Sequence, residues 1–150
     1  MCNKERNGHA YNFFYFNAMR STREDVDSTI THAISWYHGV KDQNPGTDFD
    51  EFHYRLVLDE LLTNALVHGN RNNSNAIIRI TIRIATYNIE IAVYDEGPGF
   101  RTIPDVRSQE NMFKKNGRGL FLLQNLGSVI WDNKTNCAKF TFGGTKQHQK

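Results

Sequence analysis

Apolar residues along this chain alternate between two periodicities, and the changes of period mark out its elements. Residues 12–19 are rich in aromatics and predict a first strand. Val26, Ile30, Ile34 and Tyr37 then recur at helical spacing behind Ser21-Thr22-Arg23-Glu24, which has the form of a capping box. A helix is expected to about Tyr37. Residues 39–46 read as loop, and a second helix should start near Asp48 or Asp50, carry Phe52, Leu56, Leu62 and Leu66, and stop at Gly69. From 77 to 85 the pattern switches to strict alternation, with Ile78, Ile80, Ile82 and Ile84 on one side and Arg79, Thr81 and Arg83 on the other. That is a half-buried strand.

A turn at Tyr87-Asn88 leads into a second strand over 89–94, which delivers Asp95 at its end. Residues 101–116 are polar and aperiodic and read as a flexible loop over a site. A short helix is expected over 120–126, beginning at the Gly119 turn. Segments 128–132 and 138–142 then predict a closing hairpin around Asn133, Lys134, Thr135 and Asn136. Strands followed by helices on one side point to an α+β chain: a two-layer α/β sandwich whose mixed, mostly antiparallel sheet is covered on one face. The 150 residues are expected to form one domain, with a core over about 12–143 and flexible tails. The aromatic segment 11–16 reads either as an edge strand open to a partner or as an interior strand, the reading we favour.

Composition narrows the class. A net charge of +2 with 23% charged residues argues for neither nucleic acid nor an anionic membrane as partner. Cys2 and Cys137 match no metal-ligand spacing and form no disulfide framework, which fits a reducing compartment. With no apolar run of signal-peptide or membrane-spanning length, the expected location is the cytoplasm.

Three segments carry the candidate chemistry: ELLTNALVHGN (60–70), DEGPGF (95–100) and NGRGL (116–120). The first sets Glu60 and Asn64 four residues apart on one helix face. Asn64 offers a neutral oxygen suited to Mg2+, and Glu60 can polarise a water or hydroxyl attacking a γ-phosphate. Taken alone, the pair would read as solvated residues of an amphipathic helix. Asp95, at a strand end, can accept a hydrogen bond from an exocyclic amine such as that of adenine. Gly97 and Gly99 permit close approach of backbone to a ligand, and Gly117 and Gly119 flank Arg118 at an expected helix start suited to phosphate. Asp59 points elsewhere on the helix. His68 could touch phosphate or metal, or could simply be a helix C-terminal residue. Lys114, Lys115 and Arg118 could reach phosphate or stay solvated.

In their order, these segments resemble the N, G1 and G2 boxes of the GHKL ATP-binding (Bergerat) fold, shared by gyrase B, mismatch-repair ATPases, histidine kinases and anti-sigma serine kinases. The resemblance covers roughly 16–142. It implies ATP as ligand with Mg2+, Asn64 as metal ligand, Glu60 as base, Asp95 as the residue selecting adenine, and ATP contacts from Gly97, Gly99, Gly117, Arg118, Gly119 and Leu120. The threonine common near the start of the last strand in that family has Cys137 in its place. Within these 150 residues the pattern leads us to expect neither a phospho-accepting helical hairpin nor a transducer domain. The chain is therefore most similar to stand-alone anti-sigma serine/threonine kinases, which implies a sigma factor and an anti-sigma antagonist as partners, and possible homodimerisation. A nucleotide-regulated binding module without phosphotransfer, and a detached histidine-kinase catalytic domain or ATPase, are the alternatives.

Overall fold

Four isoleucines on one face of a single strand anchor the core. Ile78, Ile80, Ile82 and Ile84 are all fully buried, as the alternation requires. They sit on β4 (Ile77–Ile84), flanked by β3 (Phe13–Arg20) and β5 (Asn88–Tyr94), with β6 (Ser128–Asp132) and β7 (Cys137–Gly143) completing the sheet in the order β3-β4-β5-β7-β6. Two short strands, β1 (Glu5–Arg6) and β2 (His9–Ala10), pair separately. The helices are α1 (Arg23–Gln43), α2 (Glu51–Asn64), continued by a π-turn (Ala65–Gly69), and α3 (Lys115–Leu126). This is a computed structural model describing residues 5–6, 9–10, 13–43, 49–85, 88–98 and 115–143. Of the expected loop over 101–116, residues 101–114 lie outside the described residues, as do Gly99, Phe100, Cys2 and residues 144–150, while 115–116 belong to α3.

Every pair in the five-stranded sheet is antiparallel. The sheet is therefore not mixed among the described strands, although the α+β architecture with helices packed on one face holds. One core cluster joins Val26, Ile30, Ala33, Ile34 and Tyr37 of α1 and Tyr54, Val57, Leu58, Leu61 and Leu62 of α2 to the isoleucines of β4 and to Ile89, Ile91 and Val93 of β5. Burying each such side chain stabilises by about 1.5–3 kcal/mol relative to leaving it in water.

Several boundaries differ from expectation for identifiable reasons. The cap of α1 is Thr22, whose Oγ1 accepts from the Asp25 backbone N at 3.2 Å, so the hydroxyl–carboxylate box is shifted one residue from Ser21. The helix runs through Gly39 to Gln43 because Val40, three residues after Tyr37, is buried and continues the apolar stripe. α2 does start behind Asp50, which accepts from His53 N at 3.0 Å. Its inward face, however, is set by Tyr54, Val57, Leu58 and Leu61, leaving Phe52 73% exposed.

The two helices are locked together by stacked Tyr37 and Tyr54 rings, 4.1 Å apart at their centroids. The Tyr54 hydroxyl donates to Ala33 O at 2.9 Å, and the Tyr37 hydroxyl donates to Phe49 O. Burial pushes both phenols well above the usual tyrosine range. β3 is an edge strand, contrary to the interior placement we favoured, with Phe14 and Phe16 exposed on the face away from the helices. No helix among the described residues is long and apolar enough to cross a membrane.

Gly39 gives a clean stability test. It lies inside α1 with nothing within 4 Å of where a Cβ would sit. Gly39→Ala should stabilise the fold by about 0.5–1 kcal/mol, read as a higher urea midpoint at unchanged slope, by removing a flexible residue from a helix interior.

Candidate nucleotide-binding site

α2 carries the core and the candidate chemistry on one rod. Buried Leu58, Leu61 and Leu62 fix its rotation, and that rotation leaves Glu60 half-buried and Asn64 only 8% exposed, one turn apart. After Asn64 the helix widens. Asn70 N donates to Ala65 O at 2.7 Å, a five-residue step, and Asn72 N reaches Leu66 O at 2.8 Å. Single π-turns of this kind cost regular hydrogen-bond geometry and collect at functional sites. This one carries Gly69 and Asn70 to the end of β5.

There the two segments touch directly. A Cβ on Gly69 would fall onto the Asp95 carboxylate, and one on Gly97 would fall onto the Gly69 carbonyl. Neither position has room for a side chain. Hydrogen bonds tie the same junction. Asn70, 5% exposed, accepts at Oδ1 from Glu96 N (2.7 Å) and donates from Nδ2 to Ile77 O (3.2 Å). Glu96 Oε1 accepts from Ile77 N at 2.7 Å. On the other side, Asp95 N donates to Asn136 O at 3.0 Å, and Asn136 Nδ2 donates to Gly97 O at 2.6 Å. Sequence reasoning passed over both asparagines as helix-end and turn residues. The one local clue was Asn136's place in a tight turn, where it adopts φ 51°.

A narrow cleft lies between the π-turn and the β5, β6 and β7 ends. Asn64 and Asp95 line it together, with Leu61, Ala65, His68 and Gly69 from the helix and Val93, Trp131, Asp132, Asn133, Asn136, Cys137 and Ala138 from the strands and hairpin turn. It is an apolar slot with a few convergent polar groups, the usual make-up of a small-molecule site. Desolvation holds the Asp95 carboxyl above its ordinary range, partly offset by a 2.9 Å hydrogen bond from Gly97 N. Burial likewise pushes the Cys137 thiol up, against a bond with Tyr94 that lowers it. Cys137 is the first residue of β7, as its place in the hairpin implied.

The remaining candidates divide. Glu60 does not line the cleft; its carboxylate sits against Gly119, where a Cβ would collide with it. α3 begins at Lys115, so Gly117, Arg118 and Gly119 lie within its first turns and not at the turn that opens it, while Leu120 is helical as expected. Gly99 and Lys114 lie outside the described residues. Asp59 is exposed away from the cleft, and His68 is exposed at its rim. For a divalent cation the donor set fits one that brings its own ligands. Asn64 contributes a single neutral oxygen, and no group of three or more His, Cys, Asp or Glu could hold a metal among the described residues.

Asp95 can be tested for a stability cost. Its raised pKa means the charged form is disfavoured in the folded state. The penalty is absent below the unfolded-state pKa and complete once pH exceeds the folded value. Asp95→Asn should therefore melt at the same or a higher temperature than the parent at neutral pH. The gain should vanish as pH falls into the carboxylate range, in thermal melts taken across that range.

Comparison with known proteins gives the site its setting. Residues 23–142 match the model of the histidine kinase-like ATPase domain. The chain is similar to the anti-sigma F factor of Geobacillus stearothermophilus, 28% identical over 77% of this chain and 81% of the relative. It is also similar to that of Geobacillus kaustophilus (strain HTA426), 29% identical over 55% of this chain and 60% of the relative. A shorter stretch, 35% of this chain and 36% of the relative, is 33% identical to the anti-sigma F factor of Clostridium botulinum (strain Alaska E43 / Type E3). The family match spans the helices, the cleft and the closing hairpin: this chain belongs to the histidine kinase-like ATPase domain family.

Proposed function

We propose that the chain is an ATP-dependent serine/threonine protein kinase of the anti-sigma type, which phosphorylates a small antagonist protein and sequesters a sigma factor. The observation that carries this reading is the pairing of Asn64 and Asp95 in one cleft of a chain similar to anti-sigma F factors. In it, Asp95 accepts from the exocyclic amine of adenine and the apolar walls hold the base. Asn64 would contribute its neutral oxygen to the cation that accompanies the triphosphate. That cation, Mg2+, supplies neutralisation of phosphate charge.

Glu60 stands one turn before Asn64 on the same helix face, against α3. There it takes or orients the proton of the attacking serine or threonine hydroxyl. The hydroxyl oxygen bonds to the γ-phosphorus, the bond to the bridging oxygen breaks, and ADP leaves with that oxygen. Gly99, Gly117, Arg118, Gly119 and Leu120 complete the nucleotide contacts in this reading. Gly119 also leaves α3 free to approach the Glu60 carboxylate.

Glu60→Ala should lower phosphotransfer by about 10²–10⁴-fold, the usual worth of a positioned acid or base. Calorimetric ATP affinity should change only a few-fold. Radiolabel transfer to a candidate antagonist is the assay. Full transfer by the variant removes Glu60 from the mechanism. Nucleotide-dependent partner binding with no transfer by the parent identifies a binding module instead, and acid-labile phosphoprotein identifies a histidine phosphorelay.

Asn64→Ala should separate nucleotide from cation. Calorimetry should show the magnesium-dependent part of ATP affinity lost, and the magnesium-free part retained. Equal loss with and without magnesium would remove Asn64 as the metal ligand.

A further inference from the structure

We propose that Asn136 is a positioning residue for purine selection, holding Asp95 in the one orientation that accepts the base amine and repels a carbonyl. This rests on the role proposed for Asp95 above. Adenine presents an amine donor where guanine presents a carbonyl acceptor, so a fixed carboxylate attracts one and repels the other. A carboxylate free to swing does neither well.

Three consecutive residues are restrained here, each from outside its own strand or by its neighbour. Asp95 N donates to Asn136 O (3.0 Å), Glu96 N to Asn70 Oδ1 (2.7 Å), and Gly97 O accepts from Asn136 Nδ2 (2.6 Å). The last restraint reaches the carboxylate through Gly97, whose N donates to Asp95 Oδ1 at 2.9 Å. The opposite oxygen is packed on the bare Cα of Gly69. Moving Gly97 therefore moves the carboxylate.

Asn136 can serve both ends because it sits in the left-handed region, φ 51°, at the close of the hairpin turn. Its carbonyl and its carboxamide both engage the Asp95–Gly97 segment. Asparagine tolerates that backbone better than most residues and carries a donor of the right length. Aspartate tolerates it too but offers no donor.

The test uses Asn136→Gly, which relieves rather than strains a left-handed backbone, keeps the carbonyl and deletes only the carboxamide. Asn136→Asp keeps the size and replaces the donor with a charge. ATP and GTP affinities, each with magnesium, are measured by calorimetry alongside melting temperature. In both variants ATP affinity should fall by about tenfold, the worth of one displaced hydrogen bond to a charged group. GTP affinity should change little, so the ATP-to-GTP ratio narrows.

A ratio unchanged from the parent in either variant overturns the inference. So does an equal loss for both nucleotides with a lowered melting temperature, which marks a merely structural residue. Asp95→Asn separates the layers. If it abolishes discrimination while Asn136→Gly does not, only the Asn136 inference falls. If it leaves discrimination intact, the reading of Asp95 falls and takes the inference with it.

Discussion

The contact between Gly69 and the Asp95–Gly97 turn governs the geometry of everything around the cleft. Two segments, one ending a helix and one ending a strand, meet with the Asp95 carboxylate on the bare Cα of Gly69 and the Gly97 backbone on the Gly69 carbonyl. Methyl groups at either glycine would force the π-turn away from β5 and open the wall that Asp95 and Asn64 share. The contact is affordable because the polar groups it buries are bonded. Asn70 and Asn136 meet the backbone of the turn from opposite sides, and each such bond is worth about 1 kcal/mol net, with a larger penalty if left unmade.

Core and site are consequently not separable in this molecule. The stacked tyrosines and the leucines of α2 set the roll of that helix against α1 and the sheet. The same roll decides that Asn64 enters the cleft and Glu60 meets α3. A core change that rotated α2 by a fraction of a turn would move both groups at once, because α-helix geometry turns about 100° per residue. Asp95 carries the opposite tension: its carboxyl is held where desolvation disfavours its charge. Sites that keep such groups do so at the expense of stability.

The legible parts of the fold are those where one period dominates. β4 was readable because Ile78, Ile80, Ile82 and Ile84 alternate and that face is buried; Ile89, Ile91 and Val93 keep the same period in β5, where Ala92 is buried on the other face too. α1 was read short because Gly39 punctuates loops more often than helices, while the burial of Val40 is a tertiary fact. The cap at Thr22 was missed by one residue because Ser21 and Thr22 carry equivalent hydroxyls, and only the turn of the backbone chooses between them. β3 looked interior because its aromatics fill both faces, yet Phe14 and Phe16 lie exposed at an edge. In the candidate site, Asn64, Asp95 and the glycines stood out as local patterns. Asn70 and Asn136 did not, since their partners are 26 and 39 residues away along the chain.

Of the chain's two tryptophans, Trp36 packs against Tyr15 of β3, while Trp131 sits in the cleft wall with Val129 and Ala138, apart from the main core. That indole is 9% exposed and lies against the cleft, so its surroundings follow the state of the cleft wall. The chain thus carries an optical label native to that wall, and replacing Trp36 with phenylalanine would leave its emission to be read alone.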